Sequence, residues 1–237
     1  MIQLRRSPEL MVFTAIEPIL FLVLFNSVFG GAIATPGVAY IDFLIPGLVV
    51  QLVAFATVQT GIGLNQDVSK GIVDRFRSLP MARSAVLTGR ILADAARFVF
   101  TTLLLAGLGT LFGFRIATGP VAALGALLLA IAFGVALAWV AAWIGLAVRN
   151  PETVQAAGFL WLFPLTFASS VYVPIQTMPG WMQAFAKANP VTVAVDALRA
   201  LLIDGPATTP VLRALAWTVC ILTVFATLAI RQYRRIQ

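Results

Sequence analysis

Long apolar runs separated by short polar stretches dominate the chain. They are Leu10–Phe29, Phe43–Leu64, Phe98–Phe114, Val121–Val148, Val154–Val173 and Leu215–Ile230. Each approaches or exceeds the ~20 residues that carry an α-helix across the hydrocarbon core. A helix starting near Ser84 feeds into the third run, so that span is read as 84–114, and the last is read as 211–230. The fourth is longer than a bilayer needs and must tilt or project. The pattern predicts an all-α membrane protein, one transmembrane domain over residues 1–237 with six transmembrane helices. No repeat of fixed period and no low-complexity tail interrupts it.

Two stretches depart from this pattern. In Asp67–Arg83, DVSKGIVDRFRSLPMAR, the residues Val68, Ile72, Phe76 and Leu79 share one helical face. Lys70–Asp74 and Asp74–Arg77 are spaced to pair on another face. Pro80 ends the helix, because it lacks the amide donor and disfavours helix at Leu79. This short amphipathic helix either offers a grip to a partner protein or lies on lipid headgroups.

The second stretch is Pro174–Pro210. Here Trp181, Ala184, Phe185 and Ala188 form an apolar stripe opposite Gln183 and Lys187. Pro190 breaks it, and a second helix runs from Val191 to Ile203 with Asp196 and Arg199 spaced to pair. Two short outer-leaflet or re-entrant helices are expected between spans five and six; an ordinary extracellular loop is the alternative. Between spans four and five, Asn150 suits a helix N-cap, Pro151 the first helical position and Glu152 the first turn.

Composition agrees with a membrane location. The chain is 60% hydrophobic and 11% charged, against about 25% charged residues in soluble domains. The net charge of +7 does not indicate nucleic acid, because the basic residues sit in short segments beside apolar runs. With the N-terminus inside, Arg5, Arg6, Lys70, Arg75, Arg77, Arg83, Arg90, Arg97, Arg149, Arg231, Arg234 and Arg235 are cytoplasmic. Only Arg115, Lys187, Arg199 and Arg213 are then outside. The positive-inside rule therefore places both termini and Asp67–Arg97 in the cytoplasm. Arg5 and Arg6 before an apolar run, with Ala32-Ile33-Ala34 after it, mimic a signal peptide. The run is longer than the 7–15 residues such a peptide carries and is interrupted by Glu17 and Pro18, so it reads as a retained first span.

The missing chemistry narrows the function. There is no histidine, which removes histidine metal sites, bases and triads. The single cysteine, Cys220, rules out an internal disulfide and reads as a small buried or lipid-facing residue. The only lysines are Lys70 after Ser69 and Lys187 after Ala186, so the chain has no P-loop, and a nucleotide motor must be a separate chain. Neither a catalytic residue nor a metal site is expected. The one acid well inside a predicted span is Glu17, either a contact for a polar or cationic substrate or one member of a local polar network where Pro18 frees the carbonyl of Thr14. Gln51, Gln59, Ser169 and Ser170 are uncharged polar residues in or near spans; they line a path or bond across helices. Gly109–Gly113 forms a GxxxG, and Gly61 and Gly63 sit late in span two.

Three segments carry a family resemblance: Ser69–Asp94, SKGIVDRFRSLPMARSAVLTGRILAD; Arg149–Pro174, RNPETVQAAGFLWLFPLTFASSVYVP; and Met178–Leu202, MPGWMQAFAKANPVTVAVDALRALL. In this order, between six spans, they resemble the membrane subunits of ABC-2 type transporters, in particular the daunorubicin-resistance-like permeases. The resemblance covers essentially the whole chain. It implies one half of an exporter, in which two permeases, identical or related, work with two copies of an ATPase subunit that binds the ATP and magnesium. It implies that Gly71, Asp74, Arg75, Phe76, Arg77, Ser78, Leu79 and Pro80 form the coupling helix seated in the ATPase. The outer segment, with Trp181, Phe185, Asn189, Pro190, Asp196 and Arg199, resembles the family's paired helices near the exit. Family members usually begin with a longer amphipathic helix, whereas Met1–Glu9 alone precede the first run here.

The sequence thus reads as a non-catalytic permease in a bacterial plasma membrane, in contact with lipids and exporting a hydrophobic or amphipathic drug, secondary metabolite or lipid. The alternative is an ion-coupled secondary transporter without an ATPase, for which only Glu17 offers an intramembrane charge. A lipid-modifying enzyme is disfavoured by the missing histidines and acid pairs, and a purely structural membrane scaffold is a third alternative.

Overall fold

A computed structural model describes residues 8–33, 35, 37–70, 85–203 and 205–235, with the side chains of 8–15, 17, 85 and 86 outside the description. The described residues form α1 (Pro8–Phe29), α2 (Tyr40–Ser69), α3 (Ala85–Leu111), α4 (Pro120–Ala147), α5 (Pro151–Phe167), a 3-10 turn (Ile175–Thr177), α6 (Gly180–Ala188), α7 (Pro190–Leu202) and α8 (Thr208–Arg235). No strand occurs among them. Among the described residues, four helices are long and apolar enough to cross a bilayer: α2, α3 from Leu87, α4 and α8. In α1 the described apolar part is Pro18–Phe29, and α5 has 17 residues. The chain is a multi-pass membrane protein.

The centre of the bundle is α2, whose most apolar stretch is 78% buried, against 17% for α8. It is apolar on every side, as expected of a helix surrounded by others. Its closest neighbour is α4. A Cβ on Gly61 would lie 2.6 Å from the Ala141 carbonyl oxygen, and one on Gly145 would strike the carbonyl of Gly61. The two backbones therefore touch, which only glycine allows. Cys220 lies exposed on α8.

The GxxxG of α3 has a different role. Gly109 packs under Ile45, but Gly113 lies beyond the helix with φ +98°. The Phe114 amide donates to the Gly109 carbonyl at 2.9 Å and the Gly113 amide to the Thr110 carbonyl at 3.2 Å. This is a Schellman stop, in which glycine supplies the left-handed residue. The Asn150-Pro151 start of α5 forms as expected in position, with Pro151 at the first helical position, but the Asn150 side chain makes no capping bond.

The fifth apolar run differs most from its expected extent. Hydropathy continues to Val173, yet α5 ends at Phe167. Ser169 and Ser170 consequently lie in a connector, not in a spanning helix. The side chains of Asn189, just before α7, and Arg199, within it, take the carbonyls that a longer helix would have satisfied internally.

Candidate functional site

The densest polar contacts lie where α7 meets the connector after α5 and the start of α2. Asn189 begins the arrangement. Its Oδ1 accepts from the Val191 amide at 2.9 Å, capping α7 ahead of Pro190. Its Nδ2 donates to the carbonyls of Leu165 (2.7 Å) and Ala168 (3.1 Å), closing the last turn of α5. One asparagine thus starts one helix and finishes another. The Ser170 amide then donates to Thr192 Oγ1 at 3.1 Å.

Arg199 completes this lock. Its side chain is 12% exposed. Nε and Nη2 donate to the Phe43 carbonyl at 3.1 and 3.0 Å, and Nη2 reaches the carbonyls of Ser170 (2.6 Å) and Val171 (3.4 Å). Nη1 donates to Ser170 Oγ at 3.1 Å and to Asp196 Oδ1 at 3.3 Å. The guanidinium carbon sits 3.5 Å from the centre of the Phe43 ring, close enough for a cation–π contact. Burial lowers the Arg199 pKa to about 10, against the opposing charge of Asp196, so the group stays protonated at neutral pH. Burial raises that of Asp196, with Arg199 and Ser170 pulling it back. A fixed fork of donors that joins three segments is a task for arginine and not lysine. The α3–α4 connector closes the same end: Thr118 Oγ1 donates to the Leu201 carbonyl at 2.6 Å and the Ala117 amide to that of Leu202 at 3.0 Å.

Beside the lock runs an aromatic ladder. Phe55 of α2 meets Phe159 and Phe163 of α5, each at 5.6 Å between ring centres. Phe163 stacks on Phe167 at 5.2 Å, Phe167 meets Tyr172 at 5.4 Å, and Tyr172 stacks on Phe25 of α1 at 4.1 Å. Phe163 and Phe167 are exposed on this face. Behind it, buried Gln51 keeps Oε1 without a hydrogen-bond partner among the described residues, while the Tyr40 hydroxyl donates to the Tyr172 carbonyl at 3.2 Å.

A second polar group occupies the opposite half of the bundle, between α2 and α3. Asp94 accepts from Thr60 Oγ1 at 2.6 Å and from Arg97 Nη2 at 3.1 Å. Arg97 Nη2 also donates to the Ala56 carbonyl at 2.8 Å. Further along, Arg90 pairs with Asp67. Asn65 Nδ2 donates to the carbonyls of Gly145 (2.9 Å) and Val148 (2.7 Å), finishing α4. None of these was singled out in the sequence as a site. The Asp94–Arg97 spacing of three on a helix was the available signal.

Among the residues singled out beforehand, Ser170, Asp196 and Arg199 converge, with Asn189 and Pro190 beside them. Ser169 bonds locally, its Oγ donating to the Thr166 carbonyl at 2.5 Å. Gln51 is buried near Tyr172, and Gln59 is exposed. Trp181 and Phe185 on α6 are 73% and 46% exposed. The side chain of Glu17 lies outside the described residues, as do Gly71, Asp74, Arg75, Phe76, Arg77, Ser78, Leu79 and Pro80. Among the described residues, no group of three or more metal-ligating side chains could hold an ion.

Residues 1–203 match the family described as ABC-2 type transporter. The chain is 38% identical over 234 residues to a daunorubicin resistance ABC transporter permease of Streptomyces coeruleorubidus, covering 99% of this chain and 83% of that one. It is 32% identical over 225 residues to a probable doxorubicin resistance ABC transporter permease of Mycobacterium tuberculosis, covering 92% and 79%. A further doxorubicin resistance permease of the same organism is 30% identical over 211 residues, covering 85% and 72%. With apolar helices sealed at one end by buried polar side chains and such agreement along nearly its full length, this chain belongs to the ABC-2 type transporter family.

Proposed function

We propose that the chain is the permease half of an ATP-driven exporter in a bacterial plasma membrane. The observation that carries this is the 38% identity to a daunorubicin resistance permease over 99% of the chain. A single domain spans the bilayer six times, α1 and α5 joining the four long helices, with both termini in the cytoplasm. Two permeases, the same chain or related ones, assemble with two ATPase subunits that carry ATP and magnesium. The segment Asp67–Pro80 docks on the ATPase, with Gly71, Asp74, Arg75, Phe76, Arg77, Ser78, Leu79 and Pro80 at the contact. The substrate is hydrophobic or amphipathic: a drug, a secondary metabolite or a lipid. The exposed ladder through Phe163 and Phe167 supports that class, because an aromatic wall favours apolar cargo. Glu17, Gln51, Gln59, Ser169 and Ser170 are the candidate polar groups near the path. Trp181 and Phe185 suit the headgroup boundary, where α6 lies in this reading.

The test is purification followed by transport into inverted vesicles. A P-loop subunit should copurify, and uptake of daunorubicin as probe should need ATP. Uptake driven by a proton gradient alone would favour the ion-coupled alternative. In the same assay, Arg75→Glu should abolish ATPase association; intact association would remove the coupling assignment.

A further inference from the structure

We propose that the polar contacts between α2 and α3 form a register clasp that makes the two helices move as one lever. Thr60, Asp67, Arg90, Asp94 and Arg97 are then positioning residues for energy coupling. This rests on the reading of the chain as an ATPase-driven permease.

The contacts fall at three levels along an antiparallel pair. Arg97 bonds the Ala56 carbonyl, Asp94 bonds Thr60, and Arg90 bonds Asp67. On α2 the first two levels are four residues apart and on α3 three, one turn in each case. Sliding one helix by a turn breaks all three levels together. From Ala56 to Asp67 the clasp extends ~16 Å at 1.5 Å per residue. Its inner end lies near the middle of α2, ~20 Å from Ser69 by the same rise. Its outer end lies just before the chain enters residues 71–84 and just after it leaves them.

Stability alone does not account for the clasp. Its ion pairs are only partly buried, the side chains of Arg90 and Asp67 being 31% and 33% exposed and those of Arg97 and Asp94 31% and 16%, and such pairs add little stability. The clasp also leaves Nε of both Arg90 and Arg97 buried without a partner among the described residues, an added cost. What such groups supply and apolar side chains do not is a unique register. A force applied to the segment joining α2 to α3 is then carried by both helices without slip, past the Gly61 crossing with α4 and toward the ladder at Phe55.

The test uses the permease assembled with its ATPase in proteoliposomes, spin-labelled at Leu111, an exposed residue at the far end of α3. Cys220 is replaced by alanine. The readouts are ATPase association, ATP hydrolysis, and the change in distance between labels on the two permeases when ATP and vanadate are added. The parent should show a distance change, and if it shows none, the ATPase-driven reading itself fails. Asp94→Asn and Arg97→Gln should keep association and hydrolysis but lose most of the change, with coupling weakened at least about fivefold. Thr60→Val, which preserves shape, should weaken it less and serves as the deciding variant where the charged ones do not fold. An unchanged distance shift in Thr60→Val and in whichever charged variants assemble overturns the clasp. So does loss of ATPase association in step with loss of the shift, which would mark the group as merely structural.

Discussion

The Arg199 lock and the α2–α3 clasp both place arginine, aspartate and a hydroxyl among apolar helices, but they satisfy their arginines differently. Arg199 spends its Nε on the Phe43 carbonyl and its other nitrogens on Ser170, Val171 and Asp196. Arg90 and Arg97 each keep a buried Nε without a partner among the described residues. The lock holds irregular backbone, where each carbonyl needs a donor or becomes a cost. The clasp joins two regular helices whose backbone is already satisfied, so its side chains are free to set register. The first arrangement completes the fold, and the second sacrifices some stability for a defined relationship between moving parts.

The sharpest way to break this contrast is Arg199→Ala. It leaves the buried carbonyls of Ser170 and Val171 without their donor, at about 1–3 kcal/mol each. The thermal midpoint in detergent should fall by about 10 °C, far more than for Asp94→Asn; equal losses would erase the distinction. Arg199→Lys should recover little of it, because an ammonium cannot present the same fork. Next comes Gly145→Leu, which forces side-chain atoms into the Gly61 backbone and should cost at least about 1–3 kcal/mol, read as reduced yield and midpoint. Asn189→Ala should cost about 1–2 kcal/mol through the lost cap of α7, with faster proteolysis near Ala168 as the local sign. The smallest effect is expected for Trp181→Ala. This residue is 73% exposed, and its removal should change the midpoint by no more than about 0.5 kcal/mol equivalent. A larger loss would mean that a second subunit covers α6.

Much of the helix plan is legible from hydropathy. The fourth run, expected over Val121–Val148 and found as Pro120–Ala147, the break at Pro190 and the pairing of Asp196 with Arg199 follow from residue type and spacing. The early end of α5 was not legible, because Ala168–Val173 is apolar enough to continue a span and nothing local forbids it. Its end depends on donors from Asn189 and Arg199, 20 or more residues away. The clasp was missed for a related reason. Asp94 and Arg97 look like helix-surface charges before the third run, and only the packing of α3 on α2 sets them beside Thr60 and Ala56.

By itself, then, the order of residues determined which segments leave water and where proline and glycine stop them, because those preferences act over a few neighbouring positions. It also determined the absence of a P-loop, a matter of residue identity alone. The tertiary structure decided which polar side chains serve the backbone and which serve one another. Inside a bilayer an unsatisfied donor or acceptor has no water to turn to, so its partner is set by whichever helix packs against it, however distant in the chain.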